Sequence, residues 1–169
     1  SILSWNFGNT FDCFGTWKEI KVPDDQITMW GNVVPTEEMV VTIKKYGFKT
    51  VRFPVTWMNF MDDSGNVSSE WMSRVKEVVD WIIKADMYCI LNIHHDGVAG
   101  NWLAEGAKAK NRFVTLWTQI ANEFNSYDDH LILESMNEVE YKSGNDYDFA
   151  TLYTLTQAFV DTVRGTGGN

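Results

Sequence analysis

The spacing of apolar and polar positions divides the chain into four repeats of one pattern, a short apolar strand followed by an amphipathic helix. Ile2 to Phe7 reads as a first strand, broken by Gly8-Asn9-Thr10. Thr50 to Pro54 reads as a second, with Val51 and Phe53 on one face and Thr50 and Arg52 on the other. In a third, Tyr88 to His94, Cys89, Leu91 and Ile93 alternate with Ile90, Asn92 and His94. Leu131 to Met136 is a fourth, and it runs straight into Asn137-Glu138. Between the strands the period becomes helical. Met39, Val40, Ile43 and Tyr46 share one face behind the N-cap candidate Thr36 and the acidic first turn of Glu37 and Glu38. Trp71, Val75, Val78, Val79, Ile82 and Ile83 mark a second helix. Phe113, Leu116, Trp117, Ile120, Ala121 and Phe124 mark a third, and Leu152, Leu155, Phe159, Val160 and Val163 a fourth. Residues 8 to 35 show no period and read as one long loop carrying Trp17 and Trp30.

Regular strand–helix alternation predicts an α/β fold with a parallel sheet covered by helices. Polar residues collect at the C-terminal ends of the strands, where βα-barrel sites lie. A closed barrel needs eight βα units. Residues 1–169 are therefore expected to be the first four βα units of a (β/α)8 TIM barrel, the N-terminal half of one catalytic domain. A small doubly wound sheet has the same alternation, but no Gly-rich dinucleotide fingerprint follows any strand.

Composition narrows the partners. A formal net charge of −9 on 169 residues argues against nucleic acid and suits a neutral substrate. No apolar run is long enough to span a membrane, so no membrane partner is expected. The first residues, Ser1-Ile2-Leu3-Ser4-Trp5, read as strand and not as a leader peptide, and the chain is expected to begin inside a longer gene product. Cys13 and Cys89 are too few for a disulfide framework and read as buried thiols. Eight Trp and 14% aromatics exceed an ordinary complement; they fill a core or stack on sugar rings.

The candidate chemistry gathers at strand ends. Glu138 leaves the fourth strand where a barrel places a proton donor. Glu134 lies four residues earlier on the same face, and Arg52 points inward as well, a cluster that only pairing sustains. Asn137 joins the same pocket only where the strand ends before it. His94 and His95 point to opposite faces of a regular strand, yet at its end both can turn to one pocket. Adjacent histidines rarely ligate one ion, and no Cys or other His offers a clear third ligand, so no metal is expected. His130 precedes the fourth strand, at the opposite end, and reads as surface. Trp17, Trp30, Trp57 and Trp102 lie in loops on the presumed active face, as sugar platforms or as the loops' own small cores. Trp71, Trp81 and Trp117 lie on helices and read as core.

These segments together resemble the N-terminal half of a glycoside hydrolase family 5 endoglucanase, in the subgroup of bacterial and rumen-fungal cellulases and xyloglucanases. The marks are WNFGNTFD at 5–12, WGN at 30–32, GFKTVRFPVTW at 47–57, WMSRVKEVVDW at 71–81, MYCILNIHHD at 87–96, NRFVTLWTQIANEF at 111–124 and LILESMNEVE at 131–140. The resemblance implies that Glu138 is the general acid/base, that Asn137 holds the sugar 2-hydroxyl, and that Arg52 orients the nucleophile. It implies that His94 contacts the sugar beside the scissile bond with His95 as its helper, and that Asn9 and Trp30 approach the glycone side. Trp102 is expected on the substrate rim. It further implies a secreted, extracellular enzyme that needs no cofactor and acts on a β-glucan. The family's usual Pro after Asn-Glu is Val139 here, a change of loop stiffness and not of chemistry. Its nucleophile, a Glu on strand seven, has no counterpart in this chain. A second half barrel is therefore the expected partner, and the chain alone is expected to be inactive, with bare strand edges and a bare inner face. A glucan-binding half barrel without catalysis is the rival reading.

Overall fold

The structure is a computed structural model that describes residues 3–140 and 148–168. Ile2 and Asn169, the outer ends of the expected first strand and last turn, lie outside the described residues. Four parallel strands stand in the order of the sequence: β1 (Ser4–Asn6), β2 (Thr50–Phe53), β3 (Tyr88–Asn92) and β4 (Leu131–Glu134). The crossovers carry α2 (Glu37–Lys45), α3 (Ser69–Lys84) and α4 (Lys110–Glu123), and α5 (Phe149–Gly165) follows β4. A short helix, α1 (Pro23–Ile27), sits inside the segment expected to be loop throughout.

Two caps fix the long helices at their starts. Thr36 Oγ1 accepts from Met39 N and Ser68 Oγ from Trp71 N, each satisfying one of the free first-turn donors. Asp148 does the same for Thr151 N at the start of α5.

Register sorts the strand residues into two faces. Asn6, Arg52, Ile90 and Ile132 lie in one row, and Asn92 pairs with Glu134 two residues further on. That face is open: Tyr88 and Ile132 are exposed. Val51, Phe53, Cys89, Leu91 and Leu131 point the other way and are buried against Val40, Val75, Val79, Ile82, Phe113, Leu116 and Ile120. The core therefore lies between sheet and helices, and the bare face is the one that lines the interior of a βα barrel.

Both ends of the sheet are open as well. A groove of about 750 Å³ runs along β1 and α2, lined by Trp5, Phe7, Met39, Ile43, Tyr46 and Phe48. A second, of about 380 Å³, follows β4 and α5 past Ile132, Leu133, Phe159 and Val160. These are the edges expected of a half barrel.

Candidate active site

Arg52 organises the open face. Its Nε donates to Glu134 Oε2 at 2.8 Å and its Nη2 to Glu134 Oε1 at 2.5 Å, a two-pronged pair across β2 and β4. Nη2 also donates to Asn137 Oδ1 at 3.0 Å, and Nη1 to Asn6 Oδ1 at 3.4 Å. Burial works to raise the Glu134 carboxyl, but the hydrogen bonds from Arg52 and Asn92 and the Arg52 charge outweigh it and hold the group below its ordinary value. The Glu134 hydrogen bond in turn holds Arg52 above its own. The inward pairing expected from the sequence is thus present.

Strand β4 ends at Glu134, which frees Asn137 to turn to Arg52. Backbone bonds then stitch the following residues to the third unit. Asn137 N donates to Ile93 O at 2.9 Å and Glu140 N to Gly97 O at 3.0 Å, so Glu138 lies between two fixed points. Val139 packs against Gly97, where an added Cβ would meet Val139 Cγ2 at 2.8 Å. The Glu138 side chain is exposed, and its charge reaches Arg52.

The chain turns sharply at His94 (φ −100°, ψ −91°), and the rings of His94 and His95 finish edge to face, 4.4 Å apart. The two rings therefore lie on the same side of the chain, in contact. His94 Nδ1 lies 3.0 Å from Asn92 Nδ2, and His95 Nδ1 lies 2.7 Å from the carbonyl oxygen of Asp12. Burial, the His95 ring and the Arg52 charge push His94 down to about 3, so it is neutral at ordinary pH. Phe14 and Trp30 pack on His95 with ring centroids at 4.8 and 5.5 Å. Asn9 adopts a left-handed conformation (φ 61°), which asparagine tolerates, and its carbonyl accepts from Asn32 Nδ2 at 2.9 Å. That bond ties the turn after β1 to the segment bearing Trp30, while the Asn9 side chain is exposed and has no hydrogen bond among the described residues.

Trp102 is a correction. Its ring is only 8% exposed, its Nε1 donates to Asp96 Oδ1 at 2.7 Å, and Arg112 lies over it. It anchors the loop from below and offers no face to a sugar. Trp57 is likewise core, with Nε1 bonded to the Asn92 carbonyl oxygen. Of the loop tryptophans, Trp17 is exposed and Trp30 half-buried.

Gln26 and Asp12 escaped the sequence reading, and Asp96, the last residue of the MYCILNIHHD segment, has a structural part. Asp96 is fully buried and accepts from Trp57 N, Met58 N and Trp102 Nε1; burial raises its pKa despite these bonds. Gln26 on α1 ties Phe11 O to Thr56 O. Asp12 is nearly buried, bonded through Oδ1 to Thr10 N, and raised by burial against that bond and the pull of His95. The signal for α1 was present in Val22-Pro23-Asp24-Asp25, with proline in the first turn and acids behind it. Asp12 offers the third ligand position that was sought only among Cys and His: Asp12, His94 and His95 each have one ligating atom within 4.8 Å of the others. The exposed Asp128 and Asp129 with the half-buried His130 also meet that distance, at the N-terminal end of β4.

Comparison with known proteins gives the family. Residues 8–169 match the model of the cellulases, glycosyl hydrolase family 5. The chain belongs to glycoside hydrolase family 5. It is 40% identical to endoglucanase A of Clostridium longisporum over 99% of its own length and 34% of that protein's. A broad-specificity endoglucanase from an uncultured bovine rumen ciliate superimposes with a TM-score of 0.96 at 87% identity, covering 99% of this chain and 47% of the other. The family 5 enzyme of Prevotella bryantii gives 0.90 at 40% identity, over 99% and 52%. The chain thus spans about half the length of these solved structures and less of the curated relatives. Solved family 5 members are (β/α)8 barrels, and the four units here are the first half of one.

Proposed function

We propose that this chain carries the acid/base half of a retaining endo-β-1,4-glucanase. The observation that carries the reading is the Arg52–Glu134–Asn137 cluster at the strand ends, with Glu138 held next to it between two backbone bonds to the β3 loop. Asn137 is oriented by an arginine that is itself clamped, and a pre-set amide of that kind suits a sugar hydroxyl. Glu138, solvent-facing in this half, protonates the leaving glycosidic oxygen and afterwards takes a proton from the water that cleaves the glycosyl-enzyme. The second carboxylate, about 5–5.5 Å away in a retaining enzyme, comes from outside these residues. The grooves along β1/α2 and β4/α5 receive the remaining βα units, on a continuing chain or a second one.

Among solved relatives, a lichenase of Caldicellulosiruptor was captured with cellotetraose and the Prevotella enzyme with a xyloglucan oligosaccharide, which supports a β-glucan substrate, cellulose, mixed-linkage or xyloglucan. An enzyme acting on such polymers works outside the cell, so secretion belongs to the same proposal. The test is reducing-sugar release from a soluble β-glucan by a polypeptide carrying these residues with the rest of the barrel, beside the 169-residue chain alone. Glu138→Gln is expected to lower turnover by about 10²–10⁴-fold and to spare only the first step, read as kcat/KM, on aryl glycosides whose leaving group needs no proton. Glucan binding without hydrolysis, by both forms, would establish the non-catalytic half barrel instead.

A further inference from the structure

Asn92 is fully buried at the end of β3, and every polar atom of its amide is used. Its Oδ1 accepts from Val55 N at 3.2 Å; a backbone N–H only donates, so that end of the amide is the oxygen. Its Nδ2 donates to Glu134 Oε1 at 3.1 Å, a carboxylate that Arg52 keeps ionised and that only accepts. The other Nδ2 hydrogen points to His94 Nδ1 at 3.0 Å. That nitrogen must then present a lone pair, which leaves the single proton of the neutral ring on Nε2. His95 is the reverse case. Its Nδ1 faces the Asp12 carbonyl oxygen, an acceptor, so its Nδ1 carries a proton.

We propose that Asn92 is a positioning residue that holds His94 as the Nε2–H tautomer, a hydrogen-bond donor beside the reacting sugar. The proposal rests on the glucanase reading only for the identity of what the donor meets. It explains why an amide, and not an acid, stands between Glu134 and His94: a carboxylate there would repel Glu134 and pull the imidazole proton to Nδ1. It also bears on the Asp12–His94–His95 trio. A cation needs a lone pair from each imidazole, and His94 has its proton on Nε2 and its lone pair already engaged by Asn92. Arg52, Glu134 and His95 are the groups that act electrostatically on the same ring.

The test is a long-range proton–nitrogen spectrum of the 15N-histidine-labelled protein with the complete barrel, the His94 signals assigned with His94→Gln. The expected pattern is an unprotonated Nδ1 and a protonated Nε2 that do not titrate across about pH 5–8. In Asn92→Asp the introduced carboxylate accepts, so the proton moves to Nδ1, the ring begins to titrate in that window, and kcat/KM on β-glucan falls by about 10–100-fold. A protonated Nδ1 in the unsubstituted protein overturns the proposal with no variant needed. So does an Asn92→Asp protein that folds and keeps the original tautomer. The expected tautomer in a protein that hydrolyses no glucan upholds the role of Asn92 and removes the enzymatic reading alone.

Discussion

The pair between Arg52 and Glu134 should be measurable as a coupling energy. Two charge-assisted hydrogen bonds join the side chains, and each such bond contributes about 1.5–3 kcal/mol when well shielded. The two side chains remain 30% and 28% exposed, so water screens part of the attraction. Fully exposed pairs contribute about 0.2–1 kcal/mol. A coupling of about 2 kcal/mol lies between these limits. Arg52→Met and Glu134→Leu, singly and together, form the cycle. The Arg52 bonds to Asn137 and Asn6 are lost in both arms that remove Arg52, and the Asn92 bond in both that remove Glu134, so these cancel. Urea denaturation followed by tryptophan fluorescence, on the polypeptide with the complete barrel, gives the four free energies. A coupling below about 0.5 kcal/mol would refute the view that this pair is the rigid centre of the open face.

Three further outcomes follow from single residues. Gln26→Ala leaves the carbonyl of Thr56 and the amide of Asn59 without their partner and the carbonyl of Phe11 with Thr56 N alone, and should cost about 1–3 kcal/mol in urea denaturation. Gly65→Ala places a Cβ 2.6 Å from Arg112 O at a φ of +93°, and should lower stability by about 1–3 kcal/mol, read as a fall in the urea midpoint. His94 is held down near 3 in the folded chain against 6.5 in the unfolded one, so between those values only the unfolded state binds its proton. Its contribution is complete above pH 6.5 and is lost as pH falls toward 3, by at most about 1.4 kcal/mol per pH unit and by less where water reaches the ring. The raised carboxyls Asp12 and Asp96 act in the opposite sense. The difference in slope between the protein and His94→Asn therefore isolates the histidine, and equal slopes would contradict the assignment.

The strands and long helices were legible because each has one face that must be dry. Val51, Phe53, Cys89 and Leu91 alternate cleanly, and the helical positions Val75, Val79 and Ile82 meet them across the core. Arg52 and Glu134 were legible for the complementary reason: charges on an inward face need each other. The segment from Gly8 to Pro35 was not, since its order comes from long-range bonds. Gln26 reaches to Phe11 and Thr56, and Thr56 to Asp12, and none of these leaves a period in the sequence. Trp102 was misread because a tryptophan in a strand-end loop looks alike whether it faces substrate or a buried Asp96. Only the third dimension shows which side of the loop holds the acid.

The same distinction separates what this half barrel fixes from what it leaves to the rest. Every side-chain acceptor that Arg52 uses comes from within the four units: Asn6 from the first, Glu134 and Asn137 from the fourth. Asn137 is therefore already bonded within them. Glu138 follows one residue later and inherits that position through the backbone, yet its carboxyl is exposed and makes no hydrogen bond to another described residue. Its placement is built in, and the surroundings of its carboxyl are left to whatever covers the open face. On the proposed reading the two properties come apart by mutation. Arg52→Lys loses the two-pronged bond, displaces Asn137, and should lower kcat across the whole pH range. Removal of the opposing carboxylate in the second half leaves the Arg52 cluster and the His94 tautomer unchanged. It should move the alkaline limb of the acid-dependent rate on a glycoside whose leaving group needs a proton, with azide as the external nucleophile. A shift of that limb by Arg52→Lys alone, with Asn137 still in place by crystallography, would show that Arg52 acts on the acid directly and that the division is wrong.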